Sequence, residues 1–168
     1  MPESTLRTTV LAAALLALAP VPRAQDAGAP VLDLASFPRT SLEITHREAG
    51  RAVHTFPFTV WVADTPQRAE QGLMFVSDLP ESMGMIFPLE PPRVENMWMK
   101  NTYIELDMLF IEANGRIGKI LARARPLSEQ ILSSDIPVAA VLELKGGEAA
   151  RLGFNVGDSV SWKKPAPR

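Results

Sequence analysis

From about residue 41 onward, apolar residues recur at nearly every second position. Ser41 to Glu48 alternates, with Leu42 and Ile44 on one face. After a break at Gly50, Ala52 to Ala63 resumes the pattern with Val53, Phe56, Phe58, Val60 and Val62. Successive side chains of a strand point to opposite faces, so this spacing predicts a β-hairpin. Pro57 has no N–H to give to a ladder, which places it at a bulge or on an edge.

The period changes at Asp64-Thr65-Pro66-Gln67. Thr65 can cap a helix, and Pro66 suits its first turn. The predicted helix is about two turns long and stops at Gly72. A short apolar strand, Gly84-Met85-Ile86-Phe87, follows and ends at Pro88. Pro91-Pro92 reads as a stiff loop, and Val94 to Asn101 as an extended segment centred on Trp98. Leu106 to Ile111 and Arg116 to Ala122 flank Glu112-Ala113-Asn114-Gly115, a hairpin signal because Asn-Gly tolerates positive φ. Ser128 to Pro137 is polar and loop-like. Val138 to Leu144 is a further strand, Gly146-Gly147 opens a short helix ending at Gly153, and Ser159 to Trp162 is the last strand. Seven or eight short strands with frequent turns predict a mainly β (α+β) fold: a compact, barrel-like antiparallel sheet with one or two short helices.

Composition narrows the function. The 168 residues suit one domain, 41–162, and 46% apolar content suffices for a core. No cysteine is present. Disulfides, thiolate nucleophiles, zinc fingers and a lipid-anchored lipoprotein are therefore excluded. No basic cluster longer than two residues interrupts the body, so nucleic acid is not an expected partner.

Residues 1–24 read as a signal peptide. Val10 to Ala19 is wholly apolar but shorter than the ~20 residues a membrane-spanning helix needs. Ala24 is the best cleavage point, and its use would leave 15 basic and 18 acidic residues. The expected location is periplasmic or secreted, and no later segment is apolar enough for a membrane span. Residues 25–40 read as a flexible lead-in and 163–168 as a frayed tail. A monomer is expected.

The ordered set Gly72-Leu73-Met74, Gly84-Met85-Ile86-Phe87, Trp98-Met99-Lys100-Asn101-Thr102, Leu106-Asp107, Val141-Leu142-Glu143-Leu144, Gly153 and Gly157-Asp158 resembles the family known as domain of unknown function 192. The resemblance runs from about Phe58 to about Val160. It implies a compact, mainly β domain with a short helix, often exported, and no accepted reaction or ligand.

Within that set, Trp98 beside Lys100 offers a stacking surface and an anion contact. On an extended strand Trp98, Lys100 and Thr102 share one face, and Met97, Met99 and Asn101 the other. A core tryptophan with a surface lysine is the plainer alternative. Asp107 enters an apolar strand and needs a partner, which Lys100, Arg68 or a backbone amide could supply. Arg68 reads either as part of a solvated helix face or as a contact for an anion. Glu143 faces away from Leu142 and Leu144, either exposed or as a second buried acid.

The leading expectation is a non-enzymatic exported domain. It would bind a small polar or anionic molecule, or a protein, through Arg68, Trp98, Lys100, Asn101 and Asp107, without a cofactor. A hydrolase using Asp107 and Glu143 is the second reading. Six of the seven methionines lie between Met74 and Met108, so a copper(I) carrier is the third, thioethers being soft ligands.

Overall fold

The computed structural model describes residues 30–47 and 53–163. All but the first of these belong to one compact unit, Val31–Arg168. The expected signal peptide and the residues after Lys163 lie outside the described residues.

The chain forms β1 (Arg39–Arg47), β2 (Val53–Val62), α1 (Pro66–Gln71), β3 (Met83–Arg93), β4 (Asn96–Met97), β5 (Leu106–Ile111), β6 (Ile117–Ala124), β7 (Leu132–Ser133), β8 (Val138–Lys145), α2 (Glu148–Leu152) and β9 (Ser159–Trp162). Seven strands make one sheet in the order β6-β5-β8-β3-β2-β1-β9, and β4 pairs with β7 separately. The fold is mostly β with two short helices, as expected.

The sheet itself differs from expectation in two ways. β2 and β3 run parallel, while every other pair is antiparallel. A parallel pair needs a crossover, and here residues 63–82, including α1, provide it. The sheet is also open rather than a closed barrel. The start of β6 reaches β9 through an isolated bridge, Arg116 to Ser159, and not through a continuous ladder.

The β1–β2 hairpin keeps one register from Arg39 opposite Trp61 to Arg47 opposite Val53, with no bulge at Pro57. β3 pairs with β2 only between Thr59 and Val62. Pro57 therefore sits where β2 has one free side, the place a residue without an N–H can occupy. At the Asn114-Gly115 turn only Gly115 has positive φ (78°), and the ladder shifts beside it.

Both faces of the sheet are covered. One core takes side chains from all seven strands and from α2, among them Ile44, Val60, Leu109, Leu142 and Val160. The second lies on the other face, where Met85, Met108, Phe110 and Val141 meet Leu73, Leu79 and Met99 from the connecting segments. Residues 30–40 are seated rather than loose. Phe37 is 3% exposed, and Gln71 exchanges hydrogen bonds with the Leu32 backbone, donating to its carbonyl at 2.8 Å and accepting from its N–H at 2.6 Å.

β3 extends past Pro88 to Arg93, so Pro91-Pro92 falls within strand geometry. The expected strand from Val94 to Asn101 shrinks to two residues, Asn96–Met97. After it the chain turns at Lys100-Asn101, with Asn101 at φ 56°.

Candidate functional site

β8 is a central strand between β3 and β5. Along it Ala140, Leu142 and Leu144 enter one core while Val141 enters the other. Glu143 follows the second direction, opposite Met85 on β3 and Met108 on β5. Its side chain is therefore a buried acid, 4% exposed, among thioethers and aliphatic groups. Its Oε2 has no hydrogen-bond partner. Burial disfavours the charged form and pushes this carboxyl up to about 8. At neutral pH the group is mainly the neutral acid, a potential O–H donor.

Above Glu143 stands Gly72, the residue that closes α1. A methyl group at Gly72 would lie 3.9 Å from Glu143 Oε2 and 3.2 Å from the Phe87 ring. Gly72 and Glu143 both line a cleft of about 680 Å³. α1 and the turn before it supply Asp64 and Glu70; the far half of β3 supplies Glu90 and Arg93. Glu95 and Trp98, on either side of β4, complete the wall. Phe87, Met74 and Met97 add apolar surface. Arg93 Nε lies 2.9 Å from Glu95 Oε2, so the cationic side chain among these residues is already paired.

The α1 geometry follows from its sequence. The Thr65 hydroxyl accepts the Arg68 N–H at 3.3 Å, Pro66 opens the helix, and Gly72 ends it. The cap fixes the helix start and the glycine lets the chain turn down over Glu143.

Of the five residues expected to form the site, only Trp98 lines this cleft. The residue is 40% exposed. The Lys100 ammonium stands 5.4 Å from the ring centre, as an adjacent aromatic and cation would suggest, but outside the cleft. Thr102 does not join them and is buried, because the turn at Lys100-Asn101 breaks strand alternation. Asn101 is half-buried in that turn, its carbonyl accepting the Phe75 N–H at 2.8 Å.

Arg68 is committed elsewhere. It pairs with Asp64, donates to the Ser36 carbonyl at 3.0 Å and lies over the Phe37 ring. Asp107 is fully buried and takes backbone amides as partners. Its carboxylate accepts N–H groups from Arg123 (2.8 Å), Gly147 (2.9 Å) and Ala149 (2.9 Å). It thus caps α2 and ties it to the sheet.

Asp107 is opposite Leu144, and Met108 is opposite Glu143. The two acids therefore project from opposite faces of the sheet, and a reaction between them on one substrate is ruled out. The methionines divide similarly. Met85, Met99 and Met108 are fully buried core residues, and among the described residues only Met74 and Met97 reach the cleft. Among the described residues no group of three His, Cys, Asp or Glu side chains is placed to hold a metal ion.

Glu143 was separable in sequence only as an acid among leucines, and Glu70, Arg93 and Glu95 carried no signal that set them apart from surface charges. The mixed sheet and its acidic cleft define a small β-rich domain with a pocket beneath a crossover helix. Residues 45–162 match the family DUF192, described as uncharacterized ACR, and the chain belongs to it. No curated protein matches the sequence. Among solved structures, a Sinorhizobium meliloti protein provisionally called a transcription regulator is similar at 40% identity and a TM-score of 0.70, covering 76% of this chain and 95% of that one. A Novosphingobium aromaticivorans protein of unknown function is 36% identical with a TM-score of 0.72, covering 82% and 95%.

Proposed function

We propose that this protein is an exported binding domain that holds a small polar molecule in the cleft between α1 and Trp98. The observation that carries this reading is Glu143, a buried acid that lines the cleft and whose Oε2 finds no hydrogen-bond partner among the described residues. A buried polar atom left unpaired costs about 1–3 kcal/mol, and a ligand that supplies the missing partner recovers that cost. Trp98 gives such a ligand a flat apolar wall.

The carboxylates of the wall disfavour the anionic ligand that Lys100 and Arg68 had suggested, since neither cation lines the cleft. They equally disfavour nucleic acid at this place, so the name given to the Sinorhizobium protein is not carried over. Export rests on the apolar run Val10 to Ala19 with its short basic start. Among the described residues no helix is long and apolar enough to cross a membrane.

Native mass spectrometry of the protein purified from its producing cell tests both parts. The expected result is a chain beginning at Gln25 with an added small mass that disappears in Trp98→Ala. A full-length chain overturns export, and an added mass retained in Trp98→Ala overturns the cleft.

A further inference from the structure

The proposed cleft is unlike an ordinary polar pocket in how its charges are spent. Asp64 is paired with Arg68, and Glu95 with Arg93. Glu70, on α1, and Glu90, on β3, have no ion-pair partner among the described residues, and both line the cleft with Glu143. Three carboxyl groups thus face a space that holds no free cation. Phe87, Leu73 and Met97 add apolar surface beside them. Trp98 closes one side, and its ring already carries an ammonium group, that of Lys100, at cation–π distance.

Resting on the cleft reading above, we infer that the ligand is a small primary amine or guanidine on an aliphatic stem, its cationic head received by Glu143 and its stem by Phe87 and Trp98. An ammonium on Glu143 supplies both the N–H donors and the charge that a buried carboxylate requires. The event is an exchange: the neutral Glu143 acid gives its proton to solvent, and the ammonium takes its place beside the carboxylate.

The groups facing Glu143 are consistent with this direction. Glu70 from α1, Glu90 from β3 and Glu95 before β4 are acidic, and Arg93 is engaged by Glu95. From β5 the facing residue is Met108, and on β8 itself Lys145 is exposed and turned to Asp78. None of these provides a cation to Glu143. A metal ion is the poorer fit, because no three His, Cys, Asp or Glu side chains are placed to hold one among the described residues.

The test is calorimetric titration of the folded domain with butylamine, putrescine and agmatine, beside glucose and citrate, from pH 6 to pH 9. Butylamine stays protonated throughout, and putrescine and agmatine keep at least one cationic head, so the butylamine profile reports the protein. The amines should bind, with affinity rising about tenfold per pH unit until about pH 8 and then levelling. In Glu143→Gln, which keeps the shape without the charge, affinity should fall at least tenfold at pH 8.5 and the slope should vanish. Glu70→Gln, at an exposed position, should weaken binding less and leave the slope intact.

An unchanged slope in Glu143→Gln overturns the inference. Binding of glucose or citrate in place of the amines, abolished by Trp98→Ala, overturns it while leaving the binding cleft standing. If none of the five binds at tens of millimolar, the cleft reading falls with it.

Discussion

Asp107 Oδ2 accepts the backbone N–H of Ala149 at 2.9 Å, and through that bond a buried carboxylate on β5 holds the first turn of α2. The same carboxylate takes the N–H groups of Gly147 and Arg123. Asp107→Asn replaces one accepting oxygen with an NH₂ that faces donors. We expect a loss of about 2–4 kcal/mol in urea unfolding. A loss under about 0.5 kcal/mol would mean that the amides are not held by this side chain.

Glu143 makes stability depend on pH in an unusual direction. The unfolded chain releases this proton near 4.5, while the folded protein keeps it up to about 8. Between those values the folded state binds more protons, so stability falls as pH rises through the window. Each unit of separation is worth about 1.4 kcal/mol, so the whole effect is a few kcal/mol. Denaturation at pH 5 and pH 8.5 should show the decline, and Glu143→Gln should remove most of it. A variant as pH-sensitive as the parent would place the effect on another group.

Trp98→Ala should leave a folded, cooperatively unfolding protein, with a cost of about 1–2 kcal/mol, because the ring is only partly covered. Core tryptophans cost about 3–5 kcal/mol on the same change. Circular dichroism and a melting curve decide between these, and a chain that fails to fold would make Trp98 a packing residue.

Gly84 on β3 lies opposite Leu144 on β8, with no room for a side chain. A Cβ there would stand 2.4 Å from the Glu143 carbonyl oxygen and 2.8 Å from Leu144. Backbone cannot step aside as a flexible side chain can. Gly84→Ala should cost about 3 kcal/mol or more, or abolish folding. Near-parental thermal stability would show that the two strands can separate locally.

The sequence made plain those features whose causes are local. The Thr65 cap, the Pro66 start and the Gly72 stop each act within a few residues, and α1 lies where they put it. The same holds for the Gly115 turn and for α2 between Gly147 and Gly153. The parallel pairing of β2 with β3 was not legible, because alternation reports which way a side chain points and not which strand lies alongside. Alternation also left Glu143 undecided. β8 is covered on both faces, so turning away from Leu142 still means turning into a core. The Trp98 segment was misread beyond Met97 because Asn101 adopts a left-handed conformation, to which periodicity is blind. Arg68 and Asp107 were visible as charges needing partners; which partners they found depended on contacts far along the chain.

The last strand of the domain pairs with the first, Trp162 opposite Leu42. Until β9 arrives, β1 offers a bare row of amides and carbonyls along one side, a template for any extended chain nearby. Pairing between the two ends is also the slowest kind to form, since the whole intervening length must be gathered first. The domain therefore cannot finish folding while its C-terminal residues are withheld. The vulnerable interval therefore falls late in folding, when the arrival of β9 decides between closure of that row and pairing with another chain.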